Sequence, residues 1–136
     1  EIAMFSDAED ILRRSPDYRR IGLITDGAAR SQECKIKALK LDSFVHTILV
    51  TDLFGRQAWK PSPTAFQYFS QVTQAKPANL IYVGDNANKD FVAPNALGWT
   101  TVHICRPDGI YDNYAEVPQH YKAQHTIRSL DEMVWA

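Results

Sequence analysis

Four short apolar runs constrain this chain more than any other feature. They are Ile21 to Thr25 (IGLIT), Thr47 to Thr51 (TILVT), Leu80 to Gly84 (LIYVG) and Thr100 to Ile104 (TTVHI). Each is nearly continuous rather than alternating, the pattern of strands covered on both faces in a parallel sheet. Helical patterns lie between them. Asp7 to Arg14 places Ala8, Ile11 and Leu12 on one face, and Ser31 to Leu39 has Ser31 as its cap. Pro63 to Thr73 carries Phe66, Tyr68, Phe69 and Val72, with Ser62 as cap and Pro63 at the first helical position. Asp90 to Leu97 is stopped by Gly98. Strand and helix in alternation predict an α/β fold with right-handed crossovers. Beyond Ile104, Arg106 to Gln119 reads as loop, His125 to Ile127 as a short edge strand and Leu130 to Trp135 as a last helical turn.

A chain of 136 residues suffices for one domain with one core. A net charge of −1 gives no reason to expect nucleic acid or a lipid surface as partner. No apolar run approaches the roughly 18 residues that span a bilayer, and no secretory signal is evident, so a cytoplasmic location is expected. Cys34 and Cys105 form no CxxC pair and read as buried, reduced thiols.

Three polar clusters follow the predicted strands, where open α/β sheets place their sites. The first is Thr25-Asp26-Gly27, the second is Lys60-Pro61 within WKPSPTAF, and the third runs from Gly84-Asp85 to Asp90. Asp85 at a strand end and Asp90 five residues on, in the first turn of the next helix, can converge on one hard cation, with Gly84 allowing the turn. Magnesium prefers oxygen ligands and keeps several waters, so one or two carboxylates suffice. Thr25 offers a hydroxyl and backbone N–H groups to a phosphoryl oxygen, and Lys60 offers a positive point charge to the same anion.

The order T-D-G, then K-P-x-P, then G-D-x4-D, each after an apolar run, resembles motifs II, III and IV of haloacid dehalogenase-like hydrolases. The stretch VGDNANKDFVAPNALGWTTV is especially similar to the fourth motif. The resemblance extends from about Phe5 to about Leu130. It implies a three-layer α/β/α sandwich with a mostly parallel, Rossmann-like sheet. It implies that Thr25 hydrogen-bonds the transferring phosphoryl group, with Asp26 and Gly27 beside it, and that Lys60 stabilises charge on the nucleophile and phosphoryl oxygens. Asp85 would bind Mg²⁺ and Asp90 would support it directly or through a second shell. These roles amount to electrostatic preorganisation around in-line phosphoryl transfer. Asp26 stands where many relatives carry Asn.

The family's first motif, DxDx[TV], supplies the nucleophilic aspartate and the general acid/base, and it is not found here. The nearest stretch, Met4 to Asp10, has Asp-x-Glu with helical periodicity, so Asp7 and Asp10 read as acids at a helix start. In the family order 5-4-1-2-3 the first strand lies between Ile21 to Thr25 and Leu80 to Gly84. An empty place there would leave buried edges roughly 10 Å apart, with unpaired groups each costing roughly 1–3 kcal/mol. A preceding segment or a second chain is therefore expected to fill it, unless the two flanking strands pair directly. The helical cap that relatives insert is also missing, so the substrate is expected only to be a small phosphorylated metabolite.

Simpler readings stand beside these. Asn86 and Asn88 suit turns. Trp59, Trp99 and Trp135 suit packing. His46, His103, His120 and His125 lack metal-ligand spacing and read as structural or surface residues. Arg56 and Gln57 suit a solvated loop. An alternative function from another class is a catalytically inactive remnant that binds a phospho-ligand or a protein partner. A receiver-like phospho-acceptor domain has its acidic pair and Lys-Pro in the opposite order. A dinucleotide-binding domain would need a GxGxxG that is absent. A true dehalogenase would not need the metal acid Asp85.

Overall fold

The four apolar runs form parallel strands, as their composition predicts, but they do so in two separate sheets. The computed structural model describes residues 2–14, 21–107 and 116–133. The elements are α1 (Ser6–Arg14), β1 (Gly22–Thr25), α2 (Ala29–Ala38), β2 (Thr47–Val50), α3 (Thr64–Thr73), β3 (Ile81–Gly84), α4 (Val92–Ala96), β4 (Thr100–Ile104) and β5 (His125–Ile127), with short 3-10 turns between several of them. The chain divides into two compact units, Glu1–Trp59 and Lys60–Ala136.

In the first unit β1 pairs with β2 in parallel, from Gly22 opposite Thr47 to Thr25 opposite Val50. His46 N donates to Ile21 O and extends the ladder. Ile24, Leu49 and Val50 are its buried strand residues. In the second unit the order is β3-β4-β5, all parallel, with Gly84 in register with His103 and Ile104 with Ile127. The expected edge strand at His125–Ile127 is thus present.

Burial follows the pairing. β4 has a neighbour on each side, and Thr101, Val102, His103 and Ile104 are all buried. β1 and β3 each bond to one strand only among the described residues, and they do not pair with each other. Ile81 at the start of β3 is 50% exposed. The uniform two-sided burial expected from the apolar runs therefore holds for β4, the strand paired on both sides among the described residues, and not for β1 or β3.

Helix ends depart from the sequence reading for local reasons. α2 begins two residues before Ser31, with Ala28 as a cap that makes no side-chain bond. The Asp52 carboxylate instead accepts the Ala29 N–H at 2.9 Å, satisfying one of the donors a helix start leaves open. No residue of α2 is buried, and Cys34 is exposed rather than buried. α3 begins at Thr64, with Pro63 at the cap position. It buries Ala65 and Phe66, while Tyr68 and Val72 face solvent. The Phe66 ring meets Tyr82 edge-on at 4.9 Å and Trp99 at 5.5 Å, spacings that favour T-shaped aromatic pairs.

α4 starts at Val92, so Asp90 lies in the turn before the helix and not in its first turn. Gly98 closes α4 at φ +85°, a region that favours glycine. Ala87, Phe91, Val117 and Ala123 form a small core beneath Tyr82 and Tyr121. Leu130–Glu132 is a 3-10 turn with a capping box between Ser129 and Glu132. The expected helical turn beyond it, Trp135 included, and most of the loop after Arg106 lie outside the described residues. No described helix is long and apolar enough to cross a membrane.

Candidate functional site

In the first unit the chemistry gathers where β1 and β2 end. Thr25 is the last residue of β1, opposite Val50. Its hydroxyl donates to Gln32 Oε1 at 3.0 Å, with the Asp26 carbonyl as a longer acceptor at 3.3 Å. Asp26 accepts from the fully buried Thr51 hydroxyl at 2.7 Å. Gly27 has φ +114°, which side chains other than glycine rarely adopt. A Cβ there would also collide with the Gln32 carboxamide. Asp52 accepts from Trp59 Nε1 at 3.1 Å as well as from the start of α2, and the Arg56 guanidinium lies 4.9 Å from the Trp59 ring centroid.

In the second unit Lys60, Asp85 and Asp90 come together. Lys60 Nζ donates to Asp90 Oδ1 at 2.8 Å and to the Tyr82 hydroxyl at 3.0 Å. The ion pair is buried, with side-chain exposures of 8% for Lys60 and 3% for Asp90. Burial opposes the lysine charge. Tyr82 and the Asp90 carboxylate, with their hydrogen bonds, more than offset it and hold the pKa above the ordinary lysine value. The ammonium is therefore charged throughout the neutral range.

The other oxygen of Asp90 organises the loop. Oδ2 accepts from the backbone N–H of Asp85 at 3.1 Å and of Asn86 at 2.8 Å. Glycine is required at position 84 for a reason the sequence did not reveal. A Cβ there would lie 2.6 Å from Asp90 Oδ2, so it is this close approach, and not a left-handed turn, that excludes a side chain. Asn86 Oδ1 accepts from Asn88 N at 3.1 Å, the turn role expected of these asparagines.

Asp85 is exposed at the end of β3, and its carboxylate has no hydrogen-bond or ion-pair partner among the described residues. The donor set suits a hard divalent cation: one free carboxylate, held at its backbone, at a strand end. Asp90 accepts one hydrogen bond at Oδ1 and two at Oδ2. No group of three or more His, Cys, Asp or Glu side chains that could hold a metal unaided occurs among the described residues.

Sequence reasoning did not find Gln32, Tyr82 and His103 as site residues. Gln32 and Tyr82 reach Thr25 and Lys60 through side chains that no motif spacing marks. His103 is fully buried on β4, and its Nε2 lies 3.1 Å from the Asp85 carbonyl oxygen.

Comparison with known proteins names the class to which this parallel α/β architecture, with its acid loop and buried lysine, belongs. Residues 1–104 match the family model described as haloacid dehalogenase-like hydrolase, and the chain belongs to that family. A HAD phosphatase of Thermococcus onnurineus superposes with a TM-score of 0.76 at 25% identity, covering 95% of this chain and 55% of its own. The glyceraldehyde 3-phosphate phosphatase of Pyrococcus furiosus is 31% identical over 126 residues, 91% of this chain and 50% of the relative. The pyrophosphatase PpaX of Bacillus mycoides is 32% identical over 85 residues, 62% of this chain and 38% of the relative. The chain thus spans about half the length, or less, of the curated relatives it matches.

Proposed function

We propose that this chain carries the phosphoryl-binding and metal-binding parts of a magnesium-dependent phosphatase acting on a small phosphorylated metabolite. The observation that carries this reading is the double use of Asp90. One oxygen holds Lys60 charged, and the other fixes the loop that presents the free carboxylate of Asp85. The names of the relatives, a glyceraldehyde 3-phosphate phosphatase and a pyrophosphatase, support the substrate class.

In this reading Thr25 donates to a phosphoryl oxygen, with Asp26 and Gly27 shaping the loop beside it. Lys60 offsets charge that builds on the phosphoryl group and the attacking oxygen. Asp85 holds Mg²⁺, which when bound neutralises the phosphoryl oxygens. The nucleophilic aspartate comes from outside the residues of this chain. It attacks phosphorus in line as the ester P–O bond breaks, the leaving oxygen takes a proton from the general acid of the same motif and departs as the alcohol, and water then cleaves the aspartyl-phosphate to release phosphate and restore the carboxylate. The strand that carries it would pair with an edge that β1 or β3 leaves open among the described residues, whether it comes from another segment or a second chain. The support for this part is that β1 and β3 each bond to one strand only among the described residues, and an edge strand offers its outward N–H and C=O groups to a further strand.

The test is phosphate release from a panel of small phosphate esters and pyrophosphate, with Mg²⁺ and with chelator, by this chain together with the segment or second chain that carries the nucleophilic aspartate. Release that needs Mg²⁺ supports the reading. No release from any member, under conditions where a phospho-ligand still binds, favours the inactive remnant.

A further inference from the structure

We propose that His103 is a positioning residue for Asp85, holding its backbone through an Nε2–H···O=C bond so that the carboxylate presents to a cation. The inference rests on the assignment of Asp85 as the metal acid and goes beyond it by naming what aims that acid.

Asp85 follows the last residue of β3, so the sheet no longer fixes its peptide groups. Side chains do so instead. Its N–H donates to Asp90 Oδ2 at 3.1 Å, and its C=O faces His103 Nε2 at 3.1 Å. A carbonyl oxygen only accepts, so the ring carries its proton on Nε2. Both peptide groups flanking the Asp85 Cα are thus gripped from within the fold, while the carboxylate itself has no partner among the described residues.

The placement of His103 fits this role. It stands on β4 in register with Gly84, where a residue on the adjacent strand can reach one position past the end of β3. It is fully buried, and its ring packs against Phe91 at a centroid distance of 5.2 Å. Phe91 follows Asp90 directly, so one short segment anchors both grips. An imidazole in a strand interior is unfavourable unless it is hydrogen-bonded, and its neighbours Val102 and Ile104 show what the strand otherwise prefers. Thr101, on the same side of β4, is tied in the same manner, donating to Asn95 at 2.6 Å and accepting from Gln124 N at 3.0 Å. That side of β4 braces loops with polar side chains, and His103 braces the loop of Asp85.

Residues that orient a metal ligand from behind typically change metal affinity about tenfold to a hundredfold when removed. The experiment is a Mn²⁺ titration read by paramagnetic broadening of amide signals, with amide hydrogen exchange on the same samples. It compares the wild type with His103→Leu, similar in bulk and unable to donate, and with His103→Gln, which can donate. The expected result has three parts. Broadening in the wild type centres on Asp85. In His103→Leu, affinity falls about tenfold to a hundredfold and the Asp85 and Asn86 amides exchange faster, while the Val102 and Ile104 amides keep their protection. His103→Gln restores most of both losses. Unchanged affinity and unchanged loop exchange in His103→Leu would overturn the proposal.

If His103→Leu does not fold, the wild-type ring decides through its ¹⁵N signals, and an Nε2 without a proton overturns the proposal. A wild type in which Mn²⁺ does not broaden signals near Asp85 contradicts the metal assignment of the proposed function. The grip by His103 is then judged on loop exchange, where faster exchange in His103→Leu supports it and unchanged exchange refutes it.

Discussion

Asp90 Oδ1 lies 2.8 Å from Lys60 Nζ, across 30 positions of sequence, in a pair with almost no solvent exposure. The two residues depend on each other. Lys60 keeps its charge against burial because Tyr82 and Asp90 face it, and Asp90 is aimed at the loop because Lys60 holds its other oxygen.

Asp90→Asn tests that dependence. The amide can accept from the Asp85 and Asn86 N–H groups only by turning its NH₂ toward the Lys60 ammonium. Removing one member of a buried pair costs about 3–5 kcal/mol. Urea unfolding of the variant is expected to show a loss of that order. Lys60→Met combined with Asp90→Asn is expected to lose less than the sum of the single changes, because it leaves no buried charge unpaired. Additive losses would contradict the pairing.

Alkaline stability follows from the raised pKa of Lys60. The sign is that of a group whose folded pKa exceeds its unfolded value. Its contribution is complete below the ordinary lysine value of 10.5 and is lost as pH rises toward the folded value. Unfolding free energy is expected to decline above about pH 10.5 more steeply in the wild type than in Lys60→Met. Parallel profiles would show that the pair does not hold the proton.

Gly84→Ala places a Cβ 2.6 Å from Asp90 Oδ2. Overpacking of this kind costs about 1–3 kcal/mol. The variant is expected to melt at lower temperature and to shift the backbone amide signals of Asp85 and Asn86, which lose their acceptor. An unchanged loop spectrum would mean that the approach of Asp90 is not what requires glycine.

Asp52→Ala removes the acceptor at the start of α2 and the partner of the Trp59 indole. Loss of a capping side chain costs about 1 kcal/mol, and the Trp59 emission is expected to change as its N–H loses its bond. Full stability with altered emission would assign Asp52 to Trp59 alone.

The strands were legible because near-continuous apolar runs have few other readings, and each observed strand lies inside its predicted run. The places of the three motifs along the chain were legible: Thr25 ends β1, Lys60 comes after the 3-10 turn Arg56–Ala58, and Asp85 follows β3. What the sequence hid was long-range pairing. Asp52 caps α2 from 23 positions away and displaces the local candidate Ser31. The role of Asp90 depends on Lys60, which no local spacing connects to it. His103 sits in an apolar run, where a lone histidine reads as core, and only the register with Gly84 brings it to Asp85. β1 and β3 are less buried than their apolar runs predict, and each bonds to one strand only among the described residues.

The most direct test of the account is turnover of a small phosphate ester as a function of Mg²⁺ concentration, by this chain together with the segment or second chain that supplies the nucleophilic aspartate, for the wild type and Asp85→Asn. The account predicts saturable dependence on Mg²⁺ in the wild type. For a variant that folds normally it predicts a fall in kcat/KM of about a hundredfold or more, since a metal ion supplies several kcal/mol at the phosphoryl oxygens. Turnover that ignores Mg²⁺, or an Asp85→Asn enzyme as active as the wild type, would contradict it.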